Sequence, residues 1–149
     1  MRHTCLAVLF SLCFCAAVEG QASPTFRQFS YHAGRRYESK VTTGMLENSP
    51  EWAEGQDNPP LPARRAVEVA SAQLSKLLPD GAKWGLQRIH LQPIGAKWIY
   101  VVEFLEPLPE KPGVDFRRDY FAIVVLMNGE AVEPKARAGG TLNNAAQVQ

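Results

Sequence analysis

An α+β fold, one N-terminal helix packed on a curled four-stranded antiparallel sheet, is what the sequence predicts, and three patterns predict it. Residues 63–78 carry apolar side chains at three- and four-residue spacing, the mark of one buried helix face. Trp98, Tyr100, Val102 and Phe104 alternate with Ile99, Val101 and Glu103, the period of a strand. Asn128-Gly129 follows a run that is apolar at every position, a hairpin signal after a central strand.

Taken in order, the chain opens with Arg2 and His3 and then an uncharged, mostly apolar stretch from Thr4 to Ala17. That stretch is shorter than the ~20 apolar residues a membrane span needs. Small residues follow, and the pattern reads as a signal peptide over residues 1–20, cut after Gly20 or Ala22. An uncleaved anchor is the alternative. All three cysteines, Cys5, Cys13 and Cys15, lie in this stretch, so the exported chain is expected to have no disulfide and no thiol chemistry. Lipidation at Cys13 or Cys15 is a further alternative, opposed by the bulky Leu12 and Phe14 that precede them. The expected location is extracytoplasmic, periplasmic or secreted.

Residues 21–61 read as an extended N-terminal segment and a Pro-rich linker. Arg36 to Thr43 partly alternates, with Tyr37, Ser39, Val41 and Thr43 on one face, and is expected to add an edge strand. Asn48 to Pro62 holds four prolines and several turn residues. Trp52 stands alone there and is expected to staple the linker to the domain.

The domain proper is expected over 62–137. Pro62 suits the first turn of a helix, where its missing N–H needs no partner. Ala63, Ala66 and Ala70 allow close approach to a sheet, and Pro79-Asp80-Gly81 ends the helix. From Trp84 to Gln92 the alternation changes phase between Leu86 and Ile89, which predicts a β-bulge. Pro93-Ile94-Gly95 is read as the next turn. Leu105 to Gly113 contains Pro107, Pro109 and Pro112 and is read as a loop. Asp119 to Met127 is the central strand, and Glu130 to Glu133 returns to an edge that Pro134 ends. Residues 138–149 are small and polar and read as a disordered tail.

The helix ARRAVEVASAQL, the strand ending in Trp98-x-Tyr100-Val101-Val102-Glu103-Phe104, and the hairpin from Ile123 through Asn128-Gly129 to Val132 resemble the PepSY-like domains of secreted bacterial proteins. The likeness spans Leu61 to Pro134. The family's final hairpin carries an Asp before a Thr-Gly turn, where this chain has Met127-Asn128-Gly129. The resemblance implies a cystatin-like helix-over-sheet module that binds or restrains a peptidase or an envelope protein. It implies no catalytic residues.

The chemistry-bearing residues agree with a noncatalytic reading. Beyond the signal stretch only His32 and His90 remain, in no metal-ligating spacing. There is no nucleophile elbow, P-loop or dinucleotide fingerprint. No catalytic, cofactor-binding or metal-binding residue and no cofactor is therefore assigned. With 16 Lys/Arg against 15 Asp/Glu, the formal charge of +1 argues against a nucleic-acid partner, which needs clustered cations. The expected partner is a protein or peptide, and no membrane span remains once the signal is removed. The expected contacts are the loop residues Pro107, Pro109, Pro112, Arg117 and Arg118, the Pro93–Ala96 turn, and an exposed sheet edge. Two alternatives stand beside this: a pocket enzyme using Asp119, Tyr100, Tyr120 or His90 as acid and base, and a structural envelope component. Arg35-Arg36, Arg64-Arg65 and Arg117-Arg118 are pairs that would form a basic patch if the fold brought them together.

The signal reading has a direct test. The exported protein is expected to begin at Gln21 or Ser23, which N-terminal sequencing of secreted material reads. A chain that retains Cys13 or Cys15 would contradict it.

Overall fold

The structure, a computed structural model, describes residues 25–53, 55–108 and 118–137. It is α+β, with two antiparallel sheets of three and four strands and two α-helices among the described residues. This corrects the expectation of a single helix on a single four-stranded sheet. The reason lies in strand β5 (Tyr120–Leu126). Every residue from Phe121 to Met127 is buried, so both faces of its sheet must be covered, and one helix covers one face.

The four-stranded sheet has the order β3 (Gly85–Ile94), β4 (Lys97–Leu105), β5, β6 (Ala131–Val132). On one face Tyr100, Val102 and Phe104 of β4 and Phe121, Ile123 and Val125 of β5 form a core with Ala66, Ala70 and Leu74. Those three belong to helix α2 (Ala63–Leu77). Small residues in its first turns let the helix backbone approach the sheet. Pro62 is the N-cap, one residue outside the position the sequence proposed; its carbonyl accepts the Ala66 N–H at 3.1 Å. No side chain caps the helix. The start is fixed from the sheet, because the Tyr100 hydroxyl donates to the Leu61 carbonyl at 2.9 Å. At the other end a Cβ on Gly81 would overlap the Leu74 carbonyl, so only glycine lets the chain turn so close beneath the helix.

The second face is made by Ile99 and Val101 of β4 with Ala122, Val124 and Leu126 of β5. It is covered by residues from the N-terminal segment. Strand β1 (Phe26–His32) and strand β2 (Arg35–Val41) form a hairpin, and the short helix α1 (Thr43–Glu47) follows. Val41 and Leu46 enter this core, with Phe26 at its margin. The sequence pattern predicts an extended segment with one edge strand added to the main sheet. Instead β2 is the middle strand of its own sheet, between β1 and β7 (Lys135–Arg137). Burial in β1 alternates from Phe26 to Ser30 and then stops, because Tyr31 and His32 are both half-buried. Pro134 closes β6, and three residues of further strand follow it.

Ser30 joins the sheets. β6 pairs only with Val124 and Val125, which leaves the outer edge of β5 uncovered at Ala122. The Ser30 hydroxyl accepts the Ala122 N–H at 2.9 Å and donates to the Ala122 carbonyl at 3.3 Å. One side chain thus satisfies both main-chain groups that a missing strand would have paired.

Three turns refine the sequence reading. The bulge is found between Leu86 and Arg88, within the interval where the alternation slips. The β3–β4 turn is Gly95-Ala96, with Gly95 at φ 61°. Pro93 stays in β3 opposite Trp98, which an edge strand tolerates. The β5–β6 turn is a three-residue loop, Met127 to Gly129. The Gly129 N–H donates to the Leu126 carbonyl and the Leu126 N–H to the Glu130 carbonyl, both at 2.9 Å. Gly129 alone takes positive φ, at 87°, because a type I turn followed by a left-handed glycine carries the strand twist as a two-residue turn would. Trp52 does staple the linker: its ring meets Trp98 edge-on at 5.5 Å.

Truncation separates these contributions. Phe104→Ala is expected to lower stability by about 3–5 kcal/mol, the range for emptying a buried aromatic site. Ser30→Ala is expected to cost about 1–3 kcal/mol, by stranding a buried N–H. Denaturant unfolding measures both; equal, negligible effects would contradict the assigned faces.

Candidate functional site

The loop after β4 has a tightly built base. The Glu106 N–H donates to the Asp119 carbonyl at 3.0 Å, and the Asp119 N–H to the Glu106 carboxylate at 3.2 Å. Arg118 donates from Nε and Nη2 to the Glu106 carbonyl at 2.8 and 2.5 Å. Of the sequence-predicted contact residues, Arg118 therefore closes the loop base, and Pro107 is half-buried beside it. Pro109, Pro112 and Arg117 lie outside the described residues, as do the expected signal and tail.

The same end of the molecule brings together three residues that sequence reasoning did not associate. His32 ends β1, Trp84 precedes β3 and Asp119 precedes β5. The His32 Nδ1 lies 3.7 Å from an Asp119 carboxylate oxygen, and that oxygen accepts the Ala33 N–H at 3.1 Å. The His32 and Trp84 rings meet edge-on at 5.2 Å. Ala33 sits at φ 49°, in the left-handed region that costs a residue with a Cβ about 1–2 kcal/mol. The hairpin tip is thus strained where it meets Asp119. No local spacing could have revealed this group, since the β1–β2 hairpin and the start of β5 are 86 residues apart. Among the described residues no group of three or more His, Cys, Asp or Glu side chains is placed to hold a metal ion.

The acid–base candidates are dispersed. The Tyr100 hydroxyl is buried and bonded to the Leu61 carbonyl, and burial raises its pKa. Tyr120 points to solvent. His90 lies in β3 opposite Val101. None of them joins Asp119 in a hydrogen bond among the described residues.

β3 is the outer strand of the four-stranded sheet and is ten residues long. Among the described residues no strand pairs with its outer side. Register with β4 places Leu86, Ile89, Leu91 and Pro93 on the helix side, and Arg88, His90, Gln92 and Ile94 on the other. The bulge sets this pattern. Without the extra residue, Gln87 would stand opposite Glu103; with it, Arg88 does. The Arg88 guanidinium grips the Glu103 carboxylate at 2.8 and 3.1 Å. The hydrogen bonds and the carboxylate charge raise the Arg88 pKa. At its Ile94 end β3 runs into a shallow, mainly apolar recess of about 370 Å³, bounded by Thr25, Leu46, Glu47, Gly95 and Lys97. The Pro93–Ala96 turn named from sequence forms one wall of it.

The three-stranded sheet has its own electrostatic centre. Glu38 of β2 is buried, with Arg137 on its carboxylate at 2.5 Å, Arg27 at 3.7 Å and Lys40 at 3.9 Å. Burial opposes ionisation of Glu38, but the Arg137 hydrogen bond and the charges of Arg137, Lys40 and Arg27 overcome it, and the pKa lies below its ordinary 4.5.

Comparison with known protein families, with curated proteins and with solved structures found no match.

The lowered Glu38 pKa makes a signed prediction. A carboxylate whose folded pKa is depressed contributes stability above its unfolded value, and that contribution is lost as pH falls through the folded value. The wild type is therefore expected to lose stability below about pH 4.5 more steeply than Glu38→Gln. Thermal unfolding across that range checks it; parallel curves would contradict the role given to Glu38.

Proposed function

We propose that this chain is a secreted or periplasmic binding module that captures an extended segment of a peptidase or envelope protein along β3. One observation carries the proposal: a ten-residue outer strand with no partner on its outer side among the described residues. An open edge presents a row of N–H and C=O groups, and an added strand gains affinity from them and specificity from alternate side chains. On the helix side a partner strand would meet the half-buried Ile89 and Leu91. On the other side it would meet Arg88, His90 and Gln92. The apolar recess beyond Ile94 would take an anchoring side chain. A PepSY-like identity, with α2 over the β3–β6 sheet as its helix-over-sheet unit, belongs to the same proposal and is supported by the sequence segments that carry the resemblance. The extracytoplasmic location is supported by the N-terminal apolar stretch.

Photo-crosslinking tests the reading in the compartment to which the protein is exported. A crosslinking amino acid at Gln92 or Leu86 is expected to give one discrete protein adduct, and one at the exposed Ala72 of α2 none. Leu86→Lys with Gln92→Lys should abolish the adduct, since charges on an edge oppose strand addition. Asp119→Asn should leave it intact. No adduct on β3, or substrate turnover that disappears in Asp119→Asn with stability unchanged, would overturn the proposal, the latter in favour of a pocket enzyme.

A further inference from the structure

The outer face of the three-stranded sheet concentrates charge that the chain as a whole does not show. Cross-strand partners share a face, and two sets result. Phe26, Ser30 and His32 of β1 with Tyr37 and Val41 of β2 turn inward, to the Ala122 main chain, Trp84, Phe121 and the second core. The alternate set turns outward: Arg27 opposite Lys40, Phe29 opposite Glu38 with Lys135 beyond it on β7, and Tyr31 opposite Arg36 with Arg137 beyond it. Five cations thus surround a single carboxylate on a chain whose formal charge is +1. Two of the direct cross-strand pairings, Arg27 with Lys40 and Arg36 with Arg137, join like charges, which destabilises a sheet.

Glu38 explains part of this face. It draws Arg27, Lys40 and Arg137 toward the middle strand, yet their side chains remain 52%, 42% and 46% exposed. Arg36 and Lys135 have no carboxylate within ion-pair distance among the described residues and are exposed. Arg36 lies over the Phe29 ring at 5.3 Å, and Phe29 is itself 36% exposed. The face comes from a short three-stranded sheet, and its cations stand on all three strands rather than along one groove. A planar anionic surface meets all five at once, whereas an extended acidic chain would follow one strand or one edge.

We propose that this face docks the protein onto a bilayer rich in anionic lipid headgroups, with Phe29 at the contact. Cations near such a surface each add about 1 kcal/mol of attraction, reaching over about one Debye length. The site is separate from β3, which is the outer strand of the other sheet, on the far side of β4 from β5. Neither proposal depends on the other.

The test is partitioning of the full chain onto vesicles of phosphatidylcholine and phosphatidylglycerol in equal parts, against phosphatidylcholine alone. The apolar Thr4–Ala17 stretch is common to every variant, so its contribution cancels between them. Binding is expected to favour the anionic vesicles, and that preference over neutral vesicles to vanish in about 1 M salt, where the Debye length is about 3 Å. Arg36→Ser and Lys135→Ser should each weaken it about fivefold, and together about 25-fold. Should the double variant misfold, Lys135→Ser alone and the wild-type salt response decide. Equal partitioning on neutral vesicles, or no response to these substitutions, would overturn the proposal. So would tight binding to single-stranded DNA or polyglutamate without vesicle binding.

Discussion

β5 is apolar on both faces, and the rest of the molecule is arranged around covering it. A strand of this kind has no side it can leave to water. On one face α2 brings Ala66, Ala70 and Leu74. On the other, Val41 and Leu46 arrive from a segment that precedes the helix in sequence. Burying both faces removes far more apolar area from water than one helix could, and apolar burial is the main favourable term in folding. The edge poses a separate problem, because main-chain groups rather than side chains are at stake there. Ser30 meets it with two hydrogen bonds at Ala122, so that the small sheet docks against β5 instead of extending its ladder.

That arrangement leaves two surfaces with opposite character. Among the described residues β3 has no strand on its outer side, and it is apolar toward the helix and mainly polar on the other side. The small sheet turns inward what the core needs and outward a cationic face centred on the buried Glu38. Its charge balance is local: three cations hold one carboxylate, and two more stand outside that cluster. The chain's near-neutral total hides this, since it sums over the whole surface while these five cations share one face. Net charge bounds nonspecific polyanion binding only when the charges are mixed over the surface.

The His32, Trp84 and Asp119 group illustrates a different dependence. Its geometry follows from the hairpin tip reaching the loop base, with the strained Ala33 donating its N–H to Asp119. The contact ties the N-terminal sheet to the end of β5 and fixes where the loop departs. Its histidine nitrogen stands 3.7 Å from the carboxylate, beyond a direct hydrogen bond, and Tyr100, Tyr120 and His90 are directed elsewhere. The hydrogen bond from Ala33 gives Asp119 a structural task.

By itself the sequence determined the elements with strong local signals. The helix stripe around Ala66, Ala70 and Leu74, the alternation of β4, the bulge before Ile89 and the apolar run of β5 are each written in side-chain period. Period reflects which side of an element faces water, and that is local information. Trp52 as a staple was legible for a related reason, because a lone large apolar ring in a polar linker must find cover. Only the tertiary structure decided what covers the second face, how β2 and β7 come to share a sheet, and that Ser30 seals β5. It alone decided which cations gather on one side and that His32 meets Asp119. Those contacts join residues far apart in the chain, and their pairing depends on the register and docking of elements, which no short-range spacing encodes.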